Sequence, residues 1–129
     1  MAETTVLIVD DEPDICDFIS TVLRDHGYAT SRAANGAEAL EKVRAAPPDL
    51  ITLDISMPEK SGVKFYREMK ESGAWNKIPI VIVTGISEEF RRFISTRRQV
   101  PPPEGYLSKP FDAGELLGLV RKLTGGGAS

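Results

Sequence analysis

Four short apolar runs constrain this chain more than anything else in it: Val6-Leu7-Ile8-Val9, Leu50-Ile51-Thr52-Leu53, Ile80-Val81-Ile82-Val83 and, shorter, Tyr106-Leu107. Near-continuous runs of this length, bounded by polar residues and turn signals, are the pattern of buried strands. Between them the apolar period switches to that of helices. Ile15, Phe18, Ile19, Val22 and Leu23 mark one face of a first helix, with Pro13 near its start and Gly27 where a C-terminal cap belongs. Residues 28–33 read as a short second strand. Asn35-Gly36 turns into a helix carrying Ala39, Leu40 and Val43, which Pro47-Pro48 closes off. Residues 62–72 give a third helix with Val63, Tyr66 and Met69 on one side. Asp112-Ala113-Gly114-Glu115 is a capping box that opens a last helix, whose core face is Leu116, Leu119, Val120 and Leu123. The alternation predicts an α/β fold built on a βα-repeated parallel sheet, with no internal repeat.

The residues just beyond the strands are the second constraint. The first run leads into Asp10-Asp11 and the third strand into Asp54; the fourth ends on Thr84, and the fifth delivers Lys109-Pro110. In an open parallel α/β sheet these strand ends share one edge, the edge where such folds bind ligands. Three carboxylates, a hydroxyl and an ammonium therefore converge. Like-charged carboxylates at close range raise one another's pKa unless a cation sits among them, so the cluster implies a bound divalent metal.

With 129 residues the chain has the length of one domain, expected over residues 1–123, and Gly125-Gly126-Gly127 makes residues 124–129 a flexible tail or a truncated linker. A formal charge of −3 offers no sequence-independent attraction to nucleic acid or anionic membranes. Cys16 is the one cysteine, so no intrachain disulfide is possible, and it reads as a small core residue. No signal peptide and no membrane-length apolar run is present, so a soluble, cytoplasmic protein is expected. His26, the one histidine, falls at a helix end, a solvated position rather than a relay histidine. Trp75 is expected to pack over an edge. The chain has no glycine-rich phosphate loop, metalloprotease histidine pair or zinc-type cysteine cluster.

The stretches Val-Asp-Asp-Glu-Pro at 9–13, Leu-Asp-Ile-Ser-Met-Pro at 53–58 with Gly62 beyond, Val-Thr-Gly at 83–85 and Tyr-Leu-Ser-Lys-Pro-Phe at 106–111 resemble, in order and on the right elements, the receiver domain of two-component response regulators. The resemblance runs from about Thr5 to Leu123 and is closest to the single-domain, chemotaxis type. It implies a doubly wound, flavodoxin-like sheet of five parallel strands in the order 2-1-3-4-5.

The resemblance also implies roles. Asp54 is the expected phosphoacceptor, taking a phosphoryl group from a histidine kinase or phosphotransfer protein as an acyl phosphate. Mg2+ is the expected cofactor, with Asp11 and Asp54 as direct ligands, Asp10 acting partly through water, and the backbone carbonyl of Ser56 as a further ligand. Lys109 would bring a compact charge to the phosphoryl oxygens. Thr84 and Tyr106 correspond to the family's switch pair, and Lys109-Pro110 to its cis peptide bond. Gly85 stands where alanine is common in the family, leaving space above the site.

One stretch departs from the pattern. Between Thr84 and Lys109 the chain is longer than the resemblance implies, and the extra length coincides with Pro101-Pro102-Pro103. Ahead of it Phe90, Phe93 and Ile94 suggest a helical face, with Arg91, Arg92, Arg97 and Arg98 as a basic cluster. In the family the fourth helix and fifth strand change shape on phosphorylation. Residues 88–104, bounded by Glu88 and Glu104, together with the fifth strand are therefore the expected surface for a downstream protein; a merely solvated helix face is the plainer reading of the arginines. Two other functions compete. A haloacid-dehalogenase-type hydrolase also uses a strand-end aspartate and Mg2+, but wants a second aspartate two residues on, where this chain has Ser56. An interaction module with a dead site is disfavoured by the complete acidic set.

Overall fold

A computed structural model of the chain describes residues 3–57, 61–85 and 103–125. The elements run β1 (Thr5–Val9), α1 (Pro13–Asp25), β2 (Ala29–Ala33), α2 (Gly36–Ala45), β3 (Leu50–Leu53), α3 (Ser61–Glu71), β4 (Ile80–Gly85), β5 (Gly105–Lys109) and α4 (Ala113–Leu123). The five strands form one sheet in the order β2-β1-β3-β4-β5, and every neighbouring pair is parallel. The expected order 2-1-3-4-5 is thus the observed one. The aromatic face at Phe90, Phe93 and Ile94, the four arginines, Pro101 and Pro102, Pro58 and residues 126–129 of the tail lie outside the described residues, as does the side chain of Thr84.

Alternation along the strands builds two cores from one sheet, because successive side chains point to opposite faces. Leu7, Val9, Ile51, Leu53, Ile80 and Ile82 pack against Ala39 and Val43 of α2 and Phe65, Tyr66 and Met69 of α3. The intervening positions Val6, Ile8, Leu50, Val81 and Val83 meet Cys16, Ile19 and Leu23 of α1 and Leu116, Leu117 and Val120 of α4. Cys16 is buried and unbridged, as its place on the helical stripe implies. Trp75 packs at the margin of the first core.

The helix ends follow their capping residues. Gly27 adopts a φ of 90°. Its N–H donates to the Arg24 carbonyl, and the next N–H, that of Tyr28, reaches back to the Leu23 carbonyl, the paired bonds of a Schellman motif. This closure corrects the second strand: Tyr28 is buried, but its N–H is spent on the helix end, so β2 begins at Ala29. The capping box of Asp112 and Glu115 forms at α4 in both directions. His26 caps α1, exposed, with Nδ1 2.9 Å from the Val22 carbonyl. Lys109-Pro110 is a cis peptide bond. Among the described residues no helix is long and apolar enough to cross a membrane.

Candidate functional site

The sheet's own hydrogen bonding carries past the strand ends and fixes the site. Beyond β1 the Asp10 N–H donates to the Ala33 carbonyl at 3.1 Å, and beyond β3 the Asp54 N–H donates to the Val9 carbonyl at 2.9 Å. Both aspartates are 3% exposed. Each is then clamped in the same way: Asp10 Oδ1 accepts from the Glu12 N–H at 2.9 Å, and Asp54 Oδ1 accepts from the Ser56 N–H at 2.8 Å. The second oxygens of both turn toward Lys109, the last residue of β5, which is paired with Gly85 of β4. The ammonium lies 3.2 Å from Asp10 Oδ2, 3.5 Å from Asp54 Oδ2 and 3.0 Å from Glu12 Oε1.

Close approach of α3 completes the floor. A Cβ on Gly62 would stand 2.6 Å from the Asp54 carbonyl oxygen and 2.9 Å from Ile55 Cα. Only glycine lets the start of α3 lie against the backbone that carries Asp54. A Cβ on Gly85, by contrast, would meet no described atom within 4 Å.

Four carboxylates, those of Asp10, Asp11, Glu12 and Asp54, offer ligand oxygens all within 4.8 Å of one another. A cluster of hard oxygens at this spacing can chelate a divalent cation. Burial pushes the Asp10 carboxyl up to about 6, with the nearby Asp54 charge adding to the rise, against the opposing Glu12 N–H and Lys109. Burial pulls the Lys109 ammonium the other way, but Glu12, Asp54 and Asp10 outweigh it and hold its pKa above the ordinary value.

A raised carboxylate pKa makes any cation binding through Asp10 proton-linked, because the ligand form of a carboxyl is the ionised one. In the metal-free protein the folded state holds that proton more tightly than the unfolded chain, so this group's contribution to stability declines as pH rises from about 4 through about 6. Divalent-cation binding through Asp10 is therefore expected to weaken as pH falls below about 6 and to release close to one proton per ion there. Calorimetry in buffers of different ionisation enthalpy reads that proton directly, and an affinity constant from pH 5 to 8 would contradict it.

Of the residues expected at the site, Asp10, Asp11, Asp54 and Lys109 come together. Ser56 joins them through its N–H. Thr84 lies at the end of β4 opposite Ser108. Tyr106 pairs with Ile82 and is 40% exposed. Glu12 is the residue sequence reasoning missed; its place directly after two strand-end aspartates was the available signal. Glu104 also departs from expectation. Both its oxygens lie 2.8 Å from the ammonium of Lys70, and Oε1 accepts from the Ile80 N–H as well. The last residue of the expected partner surface is thus spent on an internal ion pair.

Comparison with known proteins agrees with this geometry. Residues 6–121 match the family model described as the response regulator receiver domain. Protein Rrf1 of Nitratidesulfovibrio vulgaris is 34% identical over 115 residues, covering 89% of this chain and 78% of that protein. The KDP operon transcriptional regulatory protein KdpE of Escherichia coli is 33% identical over 118 residues, 92% of this chain; the chain spans 50% of KdpE's length. The structure of the chemotaxis response regulator CheY4 of Vibrio cholerae superposes with a TM-score of 0.80 at 31% identity, covering 95% of this chain and 99% of that one. A match over nearly the whole sheet, with the acidic cluster and its lysine at the strand ends, leaves one assignment: the chain belongs to the response regulator receiver domain family.

Proposed function

We propose that Asp54 is the residue through which this phospho-accepting receiver works, taking a phosphoryl group from the phosphohistidine of a histidine kinase or phosphotransfer protein. One observation carries the reading: Asp54 is buried at a strand end, one oxygen clamped by a backbone N–H and the other facing Lys109. A carboxylate oxygen attacks phosphorus, the nitrogen–phosphorus bond breaks, and the released imidazole takes up a proton. Lys109 then pairs with the oxygens of the acyl phosphate. Among the described residues one ammonium faces four carboxylates, a strongly negative group without a cation. Asp11, Asp54 and the Ser56 carbonyl, with Asp10 partly through water, would hold Mg2+, which when bound would supply the positive charge that lets a phosphate dianion approach.

Thr84 and Tyr106 form the switch: the hydroxyl turns toward the phosphoryl group and the exposed ring moves inward. Residues 88–104 and β5 pass the change to a downstream protein. The protein acts in the cytoplasm, without direct nucleic-acid or membrane binding. Family membership and Ser56, a non-carboxylate two residues after Asp54, set aside the haloacid-dehalogenase hydrolase.

Acetyl phosphate labelling followed by intact-mass analysis tests this. One adduct with Mg2+ and none in excess chelator is expected, and Arg97→Ala with Arg98→Ala should label within a few-fold of wild type. Labelling that ignores chelation would overturn the Mg2+ assignment. Collapse in the arginine variant would place those residues in the active-site scaffold rather than on the output face.

A further inference from the structure

We propose that Glu12 is a latch for Lys109: it holds the ammonium in the unphosphorylated arrangement and competes with the phosphoryl group for it. This inference rests on the phosphoacceptor reading of Asp54. Three carboxylates share Lys109, but they are not equivalent. Asp10 and Asp54 are buried and each has one oxygen tied to a backbone N–H, so neither can follow or leave the ammonium. Glu12 makes the shortest of the three contacts, 3.0 Å, from a side chain that is 59% exposed. It alone among them has solvent to swing into.

Its position supports the same conclusion. Glu12 is the N-cap of α1, yet its side chain makes no capping hydrogen bond. Cap positions favour short side chains that reach back to the helix N–H groups. Here Pro13 comes next, at the helix start, and the long carboxylate reaches across to β5 instead.

A phosphoryl group on Asp54 needs the same ammonium donors that Glu12 occupies, and its negative charge repels the Glu12 carboxylate. Each phosphorylation must therefore release Glu12 from Lys109, and each dephosphorylation lets it return. The pair opposes formation of the acyl phosphate. Glu12 acts through Lys109, as a positioning residue.

The test compares acetyl phosphate labelling rates, at saturating Mg2+, of wild type, Glu12→Gln, Glu12→Asp, Lys109→Ala and the Glu12→Gln, Lys109→Ala double variant, each shown to be folded by urea unfolding. Glu12→Gln is expected to label faster by about two- to fivefold, the scale of one partly exposed charge pair. Glu12→Asp keeps the charge but shortens the reach, and should resemble Glu12→Gln. The acceleration should vanish when Lys109 is absent. Equal acceleration without Lys109, or Glu12→Asp behaving as wild type, would mean simple charge repulsion and overturn the latch. Slower labelling with weaker Mg2+ binding would make Glu12 a metal ligand and overturn it too. An unlabelled wild type would strike the phosphoacceptor reading itself, whereas a labelled wild type matched by Glu12→Gln would sink the latch alone.

Discussion

Replacing Asp54 by asparagine is expected to abolish phosphoryl labelling, a loss of at least about a hundredfold against wild type. The amide oxygen is too weak a nucleophile to displace acetate or imidazole from phosphorus. The variant should nevertheless fold. Its side-chain oxygen can still accept from the Ser56 N–H, and Lys109 keeps Asp10 and Glu12 as partners. Removing a buried negative charge beside Asp10 also takes away part of what raises that carboxyl. Stability therefore holds or improves while labelling disappears, and the two can be read on one sample by urea unfolding and intact mass. A labelled Asp54→Asn protein would place the acceptor elsewhere in the cluster.

The second large effect is on stability, and it comes from the ion pair between α3 and the residue that precedes β5. Lys70 has a side chain only 2% exposed, and Glu104 stands over it at 34%. The ammonium also lies 5.9 Å from the centre of the Tyr66 ring. Glu104→Ala would strand this buried cation and free the Ile80 N–H together. The expected loss is about 3 kcal/mol, toward the lower end for a broken buried pair because Glu104 retains some solvent. Lys70→Met should be milder, since the half-exposed carboxylate can rehydrate and still accept from Ile80. A shift in the urea midpoint worth under about 1 kcal/mol for Glu104→Ala would show the pair to be ornamental. Because Glu104 also donates its N–H to the Ile80 carbonyl, the pair sets where β5 starts and hence where Lys109 arrives.

Much of the site could be read from the chain because strand register does the positioning. Asp10, Asp54 and Lys109 stand at or directly beyond the ends of buried strands, and a parallel sheet brings such residues to one edge whatever its loops do. The capping box at Asp112 and the cap at Gly27 were equally legible, being local chemistry. Three features were not. Tyr28 looked like strand because its ring is buried, but its N–H belongs to the helix before it. Glu12 before a proline looked like a helix start, and nothing local says that its carboxylate crosses to β5. Lys70 and Glu104 are 34 residues apart, and a lysine or glutamate is ordinarily a surface residue; only the packing of α3 against the sheet buries Lys70 and brings its ammonium to Glu104.

One carboxylate of the four, that of Asp54, is expected to accept the phosphoryl group, and site mapping tests this most directly. Wild type labelled by acetyl phosphate with Mg2+ is reduced with borohydride, which converts an acyl phosphate to an alcohol, and the modified peptide is sequenced by mass spectrometry. The alcohol is predicted at position 54 alone. Finding it at Asp10, Asp11 or Glu12 instead, or recovering no reduced residue from fully labelled protein, would contradict the assignment.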